Sequence, residues 1–179
     1  MFTINNTVLL LIDIQGKLAT LMHDNEKLYK NLEILIKSMN IFQIPIVWME
    51  QMPEKLGHSI EQVSLNLPDL KPISKHSFSC WENDEFREQI KSMGKNQILL
   101  TGIETHICVY QTACDLISHG YDVQVVADCV SSRVYSNKIL GLERINKAGG
   151  LTTSVEMILF ELLKTARAEK FKEITKLIK

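Results

Sequence analysis

The feature that most constrains this chain is a repeated change of period. Short, continuous apolar runs alternate with segments whose apolar residues recur at helical spacing. "TVLLLID" (7–13) is apolar on both sides, as a strand covered on both faces must be. Leu28, Leu32, Leu35, Ile36 and Met39 then fall on one helical stripe. "IPIVWM" (44–49) is a second strand. Segment 50–70 shows no clean period and reads as a long loop with room for a turn of helix; loops of that length in a compact domain are usually functional. A short strand near Pro72–Ser74 follows, then a helix marked by Phe86, Ile90 and Met93. "NQILLTG" (96–102) is a strand, and Val109, Ala113, Leu116 and Ile117 mark the helix after it. "YDVQVVAD" (121–128) is a strand, 136–148 a helix stopped by the Gly-Gly of 149–150, and "LTTS" a short last strand. Ser154 is placed to cap the next helix, and 165–178 reads as a charged amphipathic helix. Strands alternating with helices predict βαβ units and a parallel sheet with helices on both faces.

Other properties narrow the function. The chain has 179 residues, which suits one domain spanning 1–179, and 45% apolar residues, enough for one core. Net charge is −1 and the charges are interspersed, which argues against a nucleic-acid surface. No apolar stretch reaches the roughly 18 residues of a membrane span, and "MFTINNTVLLLID" lacks the marks of a cleaved leader. Cys80, Cys108, Cys114 and Cys129 form no C-x-x-C pair and no zinc spacing, so reduced thiols and a cytoplasmic location are expected. Neither G-x-G-x-x-G nor G-x-x-x-x-G-K-[ST] occurs, which makes nucleotide binding the weakest reading.

In open parallel α/β sheets, ligands bind at the carboxyl ends of the strands. Three ionisable residues fall there. Asp13 closes the first strand, Lys75 follows the third, and Cys108 follows the fourth after a short turn. Each has a plain structural reading: a turn cap, a solvated lysine, a packed small hydrophobe. Together they are more specific. A cysteine in the first turn of a helix gains from the macrodipole, and a nearby lysine also favours the thiolate. A nearby carboxylate takes the thiol proton, and the first-turn N–H groups offer an anion site. The other three cysteines read as packed; Cys108 and Cys114, six apart on a helix, cannot pair locally.

Three motifs carry a resemblance. "LLLIDIQGKL" is similar to the Asp-x-Gln segment of the isochorismatase-like cysteine hydrolase superfamily. "KHSFSCWENDEF" resembles that family's lysine followed by a Ser-small-aromatic stretch, and "LLTGIETHICVYQTACDL" its Gly-x-x-Thr-x-x-Cys turn and helix. "ADCVSSR" resembles a further family segment, and "GIETH" with "EQ-x-P" resembles the isochorismatase domain-containing subgroup.

The resemblance implies a three-layer α/β/α, Rossmann-like sandwich with a six-stranded parallel sheet. It implies a catalytic triad of Asp13, Lys75 and Cys108, a cis Ile103–Glu104 peptide, and an oxyanion hole from the N–H groups of Glu104 and Cys108. Candidate substrate-binding residues are Gln15, Leu18, Phe78, Trp81 and His106, with the 50–60 segment. The family's nicotinamidase branch holds a metal after the second strand. Here only Glu50 and His58 stand in that region, so neither a metal nor a cofactor is expected. The function implied is cysteine-dependent hydrolysis of a small amide or related C–N bond through a thioester, by a homo-oligomer (dimer or tetramer). The alternatives are a non-catalytic binding or scaffold protein of the same fold, and a thiol-handling redox protein.

Overall fold

The computed structural model describes residues 1–178. Strand β1 (Thr7–Ile12) leads through a short helix α1 (Gly16–Thr20) into the long helix α2 (Asn25–Phe42). Strand β2 (Ile46–Gln51) follows, then two single-turn helices, α3 (Pro53–Leu56) and α4 (Glu61–Ser64), and strand β3 (Ile73–Lys75). Helix α5 (Asp84–Ser92) precedes β4 (Gln97–Ile103). A π-helical turn over Thr105–Val109 then runs directly into α6 (Tyr110–Ser118). The chain continues through β5 (Asp122–Ser131), α7 (Tyr135–Lys147), β6 (Leu151–Thr153), α8 (Val155–Leu163) and α9 (Phe171–Leu177).

The six strands are all parallel, in the order β3-β2-β1-β4-β5-β6. Alternation along β1 divides the core. Leu9 and Leu11 join α2 and α8 on one face, through Leu32, Leu35, Ile158 and Leu159. Val8, Leu10 and Ile12 join α5, α6 and α7 on the other, through Phe86, Val109, Ala113 and Ile145. The chain therefore forms a three-layer α/β/α sandwich. The order reverses between β1 and β4, so the crevice at their carboxyl ends is the topological switch point.

Local chemistry supports these elements. All five stripe residues of α2 are buried. The Ser154 hydroxyl accepts from the Met157 N–H at 3.2 Å, capping α8 as expected. The third strand ends on Lys75 itself, one residue later than the sequence suggested, and β5 continues to Ser131.

Two expectations change. The 50–70 loop is largely organised: α3, α4 and an antiparallel bridge between Gln15 and Ser59 hold it against β1 and β2. The last helix covers only Phe171–Leu177, not 165–178. Lys164 has a φ of 61°, which ends α8, and turns at 165–171 swing the chain so that Ile174 is buried in the α2 cluster. Packing, not the good helical propensity of 165–170, sets where the helix starts.

Candidate active site

At the end of β1, Asp13 adopts a φ of 55°, a left-handed conformation that aspartate tolerates better than most residues. In the neighbouring strand, Gly102 has a φ of 119°, and a Cβ there would lie 2.1 Å from the Ile12 carbonyl oxygen. Only glycine lets β4 approach β1 so closely at the point where Asp13 leaves the sheet. The Ile103–Glu104 peptide is cis.

Lys75 and Gln51 are register partners at the ends of β3 and β2. The lysine is 0% exposed and Asp13 2%. Lys75 Nζ lies 2.7 Å from Asp13 Oδ2 and 2.6 Å from Gln51 Oε1. The carbonyls of Ser77 and Phe78 complete its surroundings at 3.1 and 3.3 Å. A buried ammonium is tolerable only with such pairing. Lys75 is held above its ordinary value: burial works against the charge, and Asp13 with the nearby thiols outweighs it.

Asp13 is raised above the ordinary aspartate value, with burial overcoming the pull of Lys75. Its Oδ1 is buried without an ordinary hydrogen-bond partner. The Cys108 thiol and this carboxyl each influence the other's protonation through a side-chain contact. Cys108 is 8% exposed and lies in the π-helical turn before α6.

Burial, and then the charge of Asp13, push the Cys108 thiol well up; Lys75 opposes this without overcoming it. The helix start and the lysine, expected to favour the thiolate, do not outweigh burial and the charge of Asp13. The lysine's charge is already matched by the carboxylate between them. Cys80, fully buried, is pushed up to about 12 by burial, and Cys129 well up for the same reason. Cys114 is half-buried rather than packed.

A pocket of about 130 Å³ opens onto these groups. Asp13, Gln51 and Cys108 form its buried end, with Glu104 beside them. Leu18, Leu56 and Phe78 lie toward solvent, and Ile103 and Ile107 complete the lining. Leu18 and Phe78 thus line the pocket as expected.

The other three substrate-binding candidates do not. Gln15 is buried, with Oε1 accepting from the Gln51 N–H at 2.6 Å and Nε2 donating to the Gln51 and Gly57 carbonyls. It ties β1 to the loop after β2. Trp81 packs against Phe86, His119 and Tyr121, anchoring the segment after Lys75. The His106 Nδ1 lies 3.0 Å from the Ser132 hydroxyl. Gln51, which both grips Lys75 and lines the pocket, was missed as an individual residue. Its signal was its place at a strand's carboxyl end, in "EQ-x-P".

Glu50 is buried; its Oε1 accepts from the Ser59 N–H at 2.7 Å, and its Oε2 lies 3.2 Å from His58 Nδ1. This carboxylate anchors the loop. Among the described residues, no group of three or more His, Cys, Asp or Glu side chains is placed to hold a metal.

Residues 7–157 match the Isochorismatase domain model. The chain belongs to the isochorismatase family. A secreted isochorismatase effector, Isc1, of Phytophthora sojae is 36% identical over 179 residues, covering 98% of this chain and 85% of that protein. The solved MAR1 ribonuclease of Caenorhabditis elegans superposes with a TM-score of 0.93 at 31% identity, covering 99% of this chain and 91% of that one. The Escherichia coli YcaC gene product, described as an octameric hydrolase of unknown specificity, gives a TM-score of 0.93 at 24% identity, covering 99% and 88%; this shows a shared fold. Membership of the isochorismatase family agrees with the six-stranded parallel sheet and indicates a hydrolase scaffold.

Proposed function

We propose that this isochorismatase-family chain, acting as one domain over 1–179, is a cysteine hydrolase that cleaves small amides through a thioester on Cys108. One observation carries the reading. A buried carboxylate has one oxygen 2.7 Å from a buried ammonium and the other unpartnered, beside a thiol that opens onto a pocket. A carboxyl so arranged has a free basic oxygen, and the raised thiol needs a base.

The steps balance as an amide hydrolysis. Asp13 takes the Cys108 proton as sulfur bonds to the amide carbon, and the carbonyl electrons move to oxygen. The N–H groups of Glu104 and Cys108, two residues that line the same pocket, hold that oxyanion. When the carbonyl re-forms, the C–N bond breaks and Asp13 returns the proton to nitrogen, releasing ammonia or an amine. Asp13 next deprotonates water, which attacks the thioester; the C–S bond breaks, and the sulfur regains a proton from Asp13. Lys75 stays charged throughout and fixes the position of Asp13. Nothing in these steps calls for a metal or cofactor.

Phosphodiester cleavage, suggested by the name of the C. elegans relative, has less support. The pocket is small, the Asp13 carboxylate lies at its buried end, and none of its described lining residues is a cation. Free thiols and the need for a reduced Cys108 favour a cytoplasmic setting. Homo-oligomerisation as a dimer or tetramer is part of the same reading, supported by the octameric neighbour.

The test is ammonia release from small primary amides by the wild type, Cys108→Ser and Asp13→Asn. Turnover confined to the wild type supports the reading. Undiminished turnover in Cys108→Ser contradicts it.

A further inference from the structure

The shape and charge of the pocket limit what it can admit. Its volume of about 130 Å³ is far below the roughly 300–1,000 Å³ of sites for drug-sized ligands. Beyond the reacting end, the pocket is lined by Leu18, Leu56, Phe78, Ile103 and Ile107.

The charges are already paired within the protein. Lys75 Nζ, the cation nearest the reacting groups, is surrounded by four protein acceptors and is not exposed to the pocket. Glu104 accepts from the Arg133 N–H at 2.9 Å and from Arg133 Nε at 3.1 Å. A carboxylate entering here meets Asp13, with no lining cation to receive it. An ammonium on the tail leaves water for an apolar wall, and the one open acceptor, Asp13 Oδ1, lies at the reacting end where the amide must sit. Each case buries an unpaired charge, which is costly.

Resting on the amidase reading above, we infer that the substrate class is the uncharged primary amides of short aliphatic acids. The amide carbon sits at Cys108. The alkyl tail lies against Leu18, Leu56 and Phe78. Phe78 and Leu56, 55% and 37% exposed, form the rim that ends the pocket. They set the chain-length limit.

The experiment measures kcat/KM for ammonia release from propanamide, butanamide, hexanamide, nicotinamide, succinamate and 4-aminobutanamide. Propanamide or butanamide should lead the series. Hexanamide should fall at least about tenfold below butanamide, since one surplus methylene in a hydrophobic pocket is worth about 10–200-fold. Succinamate and 4-aminobutanamide, similar in length to butanamide but charged, should fall further. Leu56→Ala and Phe78→Ala should each raise the hexanamide-to-butanamide ratio about tenfold.

Fastest turnover of succinamate, 4-aminobutanamide or nicotinamide overturns the inference and leaves the thioester mechanism standing. So does an unchanged ratio in both rim variants. No ammonia from any amide, together with no acyl adduct on Cys108, overturns the amidase reading itself and this inference with it.

Discussion

In the proposed reaction Cys108 and Asp13 divide the chemistry between them, and the division is measurable at each residue. Burial and Asp13 raise the thiol, so on that reading it attacks as the carboxylate takes its proton. Asp13→Asn removes both the base and a charge that disfavours the thiolate. Turnover should fall about 10²–10⁴-fold, the usual contribution of a general base. The thiolate absorbance of Cys108 should instead appear at lower pH than in the wild type. A merely structural aspartate gives no such opposition of signs.

The pH profile follows the same logic. Asp13 lies above its ordinary value of 3.8 because it is buried. Below its pKa it is protonated and cannot accept the thiol proton. The acid limb of kcat/KM should therefore have its half-maximal point above 3.8, shifted toward neutrality. A limb at or below that value rejects Asp13 as the base. Lys75→Met leaves the Asp13 carboxylate buried and unpaired, and should cost about 3–5 kcal/mol in urea unfolding. It should also lower iodoacetamide labelling of Cys108 several-fold, because Lys75 is what opposes the upward shift of the thiol. Unchanged labelling would restrict the lysine to holding Asp13.

At the scale of elements, the turn that carries Cys108 is fixed from behind by α7. A Cβ on Gly141 would lie 2.9 Å from the Thr105 carbonyl carbon and oxygen and 3.0 Å from His106 Cα. These are backbone atoms of the Thr105–Val109 turn, so Gly141→Ala must displace the turn or α7. The expected cost is about 1–3 kcal/mol of stability from overpacking. A misplacement of about 1 Å at the nucleophile costs on the order of 100-fold in turnover. Gly94→Ala, where a Cβ meets nothing within 4 Å, should lose a little stability through its positive φ and keep full activity. Equal activity of the two variants would detach α7 from the site.

Much at this scale was legible in the sequence. The buried strands and the α2 stripe follow from periodicity, and the Ser154 cap from side-chain chemistry. The 50–70 segment was not legible, because it is held by contacts distant in sequence: Gln15 with Gln51 and Gly57, and Trp48 Nε1 donating to the Ser59 hydroxyl at 2.8 Å. The same distance effect hid the hydrogen bonds by which Gln15 ties β1 to Gln51 and Gly57.

For the whole molecule, the parallel sheet explains why strand ends could be read off the sequence as the place to look for a site. A doubly covered parallel sheet exposes its carboxyl edge, and Asp13, Lys75 and Cys108 all lie at strand ends on that edge. Their charges could not be placed in the same way. Whether Lys75 activates the thiol or neutralises the carboxylate depends on distances of a few ångströms, which strand order does not specify. The 2.7 Å Lys75–Asp13 pair directs the lysine first to the carboxylate, while its charge still acts, more weakly, on the thiol. The molecule thus places a thiol and a carboxylate with one free oxygen at the buried end of a small pocket whose outer wall is apolar.

The central claim is that this edge of the sheet carries an acyl group on sulfur. Its most direct test is intact-protein mass spectrometry of the enzyme mixed with butanamide and quenched in acid during the first turnover, with peptide mapping of the adduct. The account predicts a mass increase equal to one butanoyl group in place of one hydrogen, located on Cys108 and absent from Cys108→Ser. Ammonia released at full rate with Cys108 unmodified at every time point, or with the adduct on another residue, would contradict it.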